Sequence, residues 1–289
     1  MAQHADDSYY VPHSTKWPII GSVGMALMMG SAAYWVNESS VAPWTFLAGA
    51  LVLIYMMFGW FGEVIRESES GMYNSQVDTS FRMGMLWFIA SEVMFFAAFF
   101  GALFYARVLA VPWLGGEGAG AFTNEILWQG YDAVWPTAGP EDLGGPFAVV
   151  PAFGVPFVNT LILLTSGLTV TLAHHALKKD DRTKLIGWLL ATVALGFIFV
   201  ALQIEEYIVA YQHLGLTLGS GIYGSTFFML TGFHGMHVSL GAIMLAVIAI
   251  RAMRGHFKPE HHFGFEAVAW YWHFVDVVWL GLFIFVYVY

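Results

Sequence analysis

The apolar residues of this chain run together in long blocks separated by short polar segments, with neither the two-residue alternation of a half-buried strand nor the one-sided stripe of a soluble helix. A helix crossing about 30 Å of hydrocarbon needs roughly 20 mostly apolar residues. Seven stretches meet that length: 17–36, 42–63, 81–108, 154–175, 184–204, 223–250 and 266–289. Hydrocarbon offers no water to an unpaired backbone, so each stretch is predicted as an α-helix, which pairs its own N–H and C=O groups. The expected fold class is all-α, a polytopic membrane protein with seven transmembrane helices. The third and sixth stretches exceed a perpendicular crossing and should tilt or protrude.

The polar segments give an orientation. Cytoplasmic loops retain Lys and Arg near span ends, and of the 11 basic residues all except Arg107 fall on one side if the spans number seven. An even number of spans would scatter them. The expectation is an N terminus in the cytoplasm and a C terminus outside, with a tail at 1–16, a two-helix unit at 17–64, a cytoplasmic linker at 65–80 and a five-helix unit at 81–289. The five-helix unit carries an external loop at 109–152 that is rich in Gly and Pro, contains Glu117, Glu125, Asp132, Glu141 and Asp142, and lacks Lys and Arg. Its stretch "EILWQGYDAVW" reads as a short amphipathic helix with its tryptophans at the headgroup level. No internal repeat is visible, which weighs against an inverted-repeat transporter.

Composition agrees with a lipid-embedded chain. It is 58% hydrophobic and 11% charged, against about 25% charged in soluble domains. The absence of cysteine excludes disulfides, thiolate zinc sites and cysteine-ligated iron–sulfur clusters. A net charge of -9 argues against nucleic-acid partners. The opening "MAQHADDSYYVPHSTK" has two acids and no basic start followed by an apolar core, so it reads as an uncleaved polar tail.

Ionisable groups inside the apolar blocks are the candidate chemistry, because a lone charge in hydrocarbon costs several kcal/mol and normally faces a partner, water or a neutralising proton. Glu92 in "WFIASEVMFFAAFF" and Asp276 in "WYWHFVDVVWLG" each lie about 15 Å from a cytoplasmic span end. His273 sits one turn from Asp276 on the same face, within reach of an Asp–His pair. His234 and His237 in "TGFHGMHVSLG" are spaced the same way on the sixth span. Counting from Arg251 puts them more than about 10 Å from the level of His273, which disfavours one metal or haem site across the last two spans. Three readings compete for these five residues: cofactor ligation, which that offset disfavours, a proton path through Glu92 and Asp276, or polar groups that hydrogen-bond helices to one another, with Glu92 joining the His273–Asp276 pair. Gly21, Gly24 and Gly30, and Gly232, Gly235 and Gly241, form small-residue stripes suited to close helix packing.

At the basic side, Trp60, Arg66, Arg82, Arg251 and Arg254 are placed where phospholipid headgroups lie, with Arg suited to phosphate and Trp to the interface. His4, His13, His256, His261 and His262 could collect protons on that surface, since imidazoles titrate near neutral pH.

Three segments carry a resemblance. "RMGMLWFIASEVMFFAAFF", "FHGMHVSLGAIML" and "HHFGFEAVAWYWHFVDVVWL", with "EVIRES" at 63–68, resemble subunit III of the haem–copper cytochrome c oxidases of the aa3 type. The resemblance implies a subunit with no metal or redox centre of its own, part of a respiratory complex that reduces oxygen and translocates protons. Haems and copper would sit in partner subunits I and II, subunit I being in direct contact, and cytochrome c would be the substrate of the complex. Spans 1–2 would separate from spans 3–7 around a phospholipid-holding cleft, with Trp60, Arg66, Glu67 and Arg251 as lipid ligands, and Glu92 would match the family's membrane-embedded carboxylate. The expected role is to stabilise subunit I, bind structural phospholipid and support proton uptake, in a bacterial plasma membrane or alternatively a mitochondrial inner membrane. The alternatives are a stand-alone proton channel or transporter using Glu92, and subunit III of a related quinol oxidase.

Overall fold

The computed structural model describes residues 15–141 and 145–289. His4 and His13, two of the surface histidines singled out in the sequence, and Asp142 lie outside the described residues. Among those described there is no β-strand, and seven helical segments are long and apolar enough to cross a membrane. These are α1 (Trp17–Val36), α2 (Ala42–Glu69), α3 (Ser75–Phe104), α6 (Val155–Lys178), α7 (Arg182–His213), α8 (Gly221–Arg254) and α9 (Phe263–Leu282). α3 continues through a π-helical segment, Tyr105–Ala110, into the short α4 (Val111–Leu114), and α9 ends in a second π segment, Phe283–Val288.

Local chemistry sets the ends. Proline occupies the first turn of α1, α2 and α6, where its missing N–H costs nothing and its fixed φ suits the helix. The Asp181 carboxylate caps α7 by accepting from the Lys184 N–H at 3.1 Å. Gly255, with φ +82°, supplies the left-handed residue that stops α8. Arg182 donates to the carbonyls of Ala252 and Met253 at 3.0 and 3.2 Å, closing the same helix end. The helices overrun the apolar blocks: α7 reaches His213 rather than 204, and α8 starts at Gly221 and ends at Arg254. Helix continues wherever nothing breaks the ladder, whereas hydrophobicity marks only the part suited to hydrocarbon. The expected amphipathic helix at "EILWQGYDAVW" is corrected: α5 spans Ala121–Leu127 and stops there, ahead of Gly130 with φ +84°.

The chain divides into two compact units, one ending at Met83 and the other comprising Gly84–Tyr289. In the first, α1 and α2 form a tight hairpin. A methyl added at Gly24 would stand 2.8 Å from Leu53, and one at Gly49 would stand 2.8 Å from the Met28 backbone nitrogen. Ser31 donates to Thr45 at 2.7 Å across the hairpin, and the Trp17 indole donates to Glu63. A methyl added at Gly21 would make only an ordinary contact with Met56 and Gly30 faces open space, so the stripe in α1 closes at Gly24.

The second unit is built around Trp272 of α9, which is fully buried. Its ring wedges between Gly196 of α7 and Gly241 of α8, where an added methyl would come within 2.8 Å of it on either side. Its indole N–H donates to Ser166 of α6 at 2.9 Å. Two turns on, Trp279 repeats the arrangement, packing edge-on against Phe199 at 4.8 Å and donating to Thr160 of α6 at 2.9 Å. Two glycines and two hydroxyls thus let two bulky indoles fill the centre of a bundle with no water to solvate their N–H groups. Of the stripe in α8, Gly241 takes part in this, a methyl added at Gly232 would stand 3.4 Å from the Tyr207 hydroxyl, and Gly235 faces open space. Gly241→Ala should therefore overpack Trp272 and cost about 1–3 kcal/mol, while Gly235→Ala should be neutral or stabilising. Thermal unfolding of the two purified variants, followed by loss of helical circular dichroism, measures the contrast.

Candidate functional site

Glu92 and His237 meet inside the bundle. The Glu92 carboxylate of α3 lies 3.0 Å from Nε2 of His237 on α8. Nδ1–H of the same imidazole donates to the Phe233 carbonyl at 2.6 Å, one turn back on its own helix. With Nδ1 donating, the Nε2···Oε2 contact contains one proton, held either as carboxylic acid with neutral imidazole or as carboxylate with imidazolium. The pair is neutral overall in both forms, which is what makes two ionisable groups tolerable there. Phe95 and Phe96 flank the imidazole, with centroids at 5.8 and 5.0 Å, and the Tyr271 hydroxyl donates to the His237 carbonyl at 3.3 Å.

His234, one turn away, is fully buried. Its Nε2–H donates to the Val275 carbonyl of α9 at 3.2 Å, its ring lies between Phe199 and Trp279, and its Nδ1 has no hydrogen-bond partner. This contact corrects the axial offset expected from the sequence: His234 reaches a carbonyl two residues from His273. Residue counting misplaced it because Arg251 and Glu266 are not at equivalent distances from a common plane. What separates the two histidine pairs is direction around α9.

His273 and Asp276 face α6. Nε2–H of His273 donates to the Thr171 hydroxyl at 3.3 Å, and that hydroxyl donates to the Gly167 carbonyl at 2.9 Å. Nδ1 of His273 is 3.9 Å from Asp276 Oδ2, beyond hydrogen-bond range. Asp276 fits only because Gly167 lacks a side chain, since a methyl there would be 2.5 Å from Oδ2. The single network expected of Glu92, His273, Asp276, His234 and His237 is thus three separate arrangements, and Glu92 joins His237 rather than the His273–Asp276 pair.

A further buried group escaped the sequence reading. Glu206 of α7 accepts from Gln203 Nε2 at 3.1 Å and from the Tyr287 hydroxyl of the C-terminal π segment at 2.6 Å. It lies just past residue 204, where the apolar block ends. Persistence of helix through "QIEEYIVAYQH" was the signal available.

At the end of this unit formed by the turns 179–181 and 255–262, His262 is buried, not a surface group. Its Nε2 lies 3.2 Å from Nε2 of His174 and 3.3 Å from Glu266 Oε1, and His174 is 3.5 Å from the same oxygen. These ligand atoms lie within 4.8 Å of one another, the one such trio among the described residues. Two imidazoles and a carboxylate have donor types that could hold a divalent first-row cation. His261 is exposed and His256 half-buried. Of the lipid candidates, Trp60 and Arg66 are exposed. Glu67 accepts from the Tyr73 hydroxyl at 2.7 Å, and the Arg251 guanidinium lies 4.6 Å over the Phe257 ring.

Glu92→Leu should leave His237 Nε2 without its partner and cost about 1–3 kcal/mol, whereas Glu92→Gln, which keeps a hydrogen-bonding amide, should cost less than about 1 kcal/mol. Denaturant titration in detergent resolves the two.

The comparisons with known proteins agree with this architecture. A family model described as cytochrome c oxidase subunit III matches residues 7–289. The curated "Cytochrome c oxidase subunit 3" of Carassius auratus is 40% identical over 285 residues and that of Oncorhynchus mykiss 40% over 285, and the protein of the same name from Gadus morhua is 41% identical over 286, each match covering 98% of both chains. The chain belongs to the cytochrome c oxidase subunit III family: it is a multi-pass membrane protein and a non-redox subunit of a respiratory-chain oxidoreductase complex.

Proposed function

We propose that this subunit buttresses the redox subunit I, beside subunit II, in a complex that takes electrons from cytochrome c, and that it carries no haem or copper itself. The observation that carries this reading is the occupancy of its intramembrane imidazoles. Both nitrogens of His237 are engaged, one by a carboxyl group and one by a backbone carbonyl. His234 is walled in by Val275, Phe199 and Trp279. An axial ligand needs a free nitrogen facing space for a porphyrin; neither nitrogen of His237 is free, and the fully buried His234 is packed between two aromatic rings with no such space beside it.

Phospholipid is the second part of the proposal. The first unit exposes Trp44, Leu51, Tyr55, Phe58 and Trp60 along α2, a surface that needs acyl chains or partner helices to cover it. Arg66 at the end of that helix supplies a headgroup cation, with Trp60 and Glu67 near it in sequence, and Arg251 serves likewise at the end of α8. Proton uptake is the third part. Exposed His261 lies beside the buried His174–His262–Glu266 trio, which can accept and release protons at the surface assigned to the cytoplasm of a bacterial cell, with the N terminus on the same side.

Purified complex containing Glu92→Gln should keep the wild-type ratio of haem to subunit I and retain oxygen reduction. The isolated chain reconstituted in liposomes should carry no proton flux above empty vesicles. Haem bound by this chain alone, or flux that disappears with Glu92→Gln, would replace the buttress with a redox or channel role. Phosphorus analysis of the delipidated complex should find phospholipid retained, and less of it in Arg66→Gln and Arg251→Gln variants.

A further inference from the structure

Among the buried side chains of the Gly84–Tyr289 unit whose polar atoms have no hydrogen-bond partner, three lie at one level. Asn159 of α6 is fully buried, yet neither its Nδ2 nor its Oδ1 is hydrogen-bonded. Gln203 and Glu206 of α7 are also buried, and Oε1 of the first and Oε2 of the second are unpartnered. Two independent routes place them at the same level of the bundle. The Thr169 and Thr192 hydroxyls, 2.8 Å apart, fix the register of antiparallel α6 and α7. From that point Asn159 lies about 15 Å back along α6 and Gln203 about 16 Å on along α7, at a rise of about 1.5 Å per residue. Through the last helix, Tyr287 donates to Glu206 at 2.6 Å and its ring lies 5.9 Å from that of Trp279, whose indole donates to Thr160, the neighbour of Asn159, at 2.9 Å.

The orphan atoms are one N–H donor group and three oxygens. A metal cation would satisfy the oxygens and leave the amide donor unmet. Direct bonding between the side chains would need them in contact, and they are not hydrogen-bonded to Asn159. Water serves both roles, and buried water typically makes about three hydrogen bonds to groups of this kind. We propose that Asn159, Gln203, Glu206 and Tyr287 line an internal water site, in which one water accepts from Asn159 Nδ2 and donates to Gln203 Oε1 and Glu206 Oε2. A second water serves Asn159 Oδ1. The π-helical register of Phe283–Val288 belongs to the same site, since it is the segment that carries Tyr287 onto Glu206; π turns concentrate where a side chain must be aimed at a functional position. By rotating, the water bonds either protonation state of Glu206, so it also gives that buried carboxyl a partner with which to exchange a proton.

The test is a map of the complete, assembled oxidase at a resolution that shows ordered solvent, for the native complex, for Asn159→Leu and for Glu206→Gln. The expected result is density within hydrogen-bond distance of Asn159 Nδ2, Gln203 Oε1 and Glu206 Oε2 in the native complex, kept in Glu206→Gln and lost in Asn159→Leu. A dry site with Asn159 bonded directly to Gln203 or Glu206 would overturn the proposal, as would an ion coordinated by the three oxygens. If Asn159→Leu does not assemble, the native and Glu206→Gln maps decide.

Discussion

Hydrocarbon cannot solvate a hydrogen-bonding group, and the interaction that meets this constraint at the greatest electrostatic stake is the single proton shared between Glu92 and His237. Separately, a carboxylate and an imidazolium in a membrane would each cost several kcal/mol. Together they are neutral in either arrangement, and the Phe233 carbonyl fixes the tautomer that makes the sharing possible. The same constraint governs the weaker polar groups. Trp272 and Trp279 give their indole protons to Ser166 and Thr160, Tyr271 gives its hydroxyl proton to the His237 carbonyl, and His273 reaches Thr171. The bonds to Ser166, Thr160 and Thr171 join α9 to α6, and those at His237 join α8 to α3 and α9. Together with the glycine-lined sockets for Trp272, they orient helices that have no hydrophobic drive to associate within lipid.

Much of the fold was legible in the sequence because one physical requirement, the length of an apolar helix, dominates it. Block lengths gave seven crossings. Helix ends were not legible. They depend on caps such as Asp181 and Gly255 and on helix persisting into polar sequence, as α7 does through Glu206. The individual intramembrane groups were found by their improbability in apolar surroundings, but their partners were not. Sequence spacing reports neighbours along one helix, so it paired His273 with Asp276. The contacts that matter, Glu92 with His237 and His234 with Val275, cross between helices. His262 was misread as a surface group because its burial comes from His174, which is remote in the chain.

Membership of the subunit III family gives these contacts a context. The intramembrane side chains bond one helix of the subunit to another, in a non-redox member of a complex whose electrons travel elsewhere. The buried groups differ in their completeness. The Glu92–His237 pair has its protons accounted for, whereas Asn159, Gln203 and Glu206 have atoms left over that call for solvent.

The central claim is that Glu92 and His237 act on each other as a pair. The most direct measurement is a double-mutant cycle on the stability of the purified subunit, combining Glu92→Leu with His237→Phe. A shared-proton pair predicts that the double variant is less destabilised than the sum of the single ones, with a coupling of about 1–3 kcal/mol. Additive effects, with no coupling, would contradict it and leave the two residues as independent occupants of the membrane.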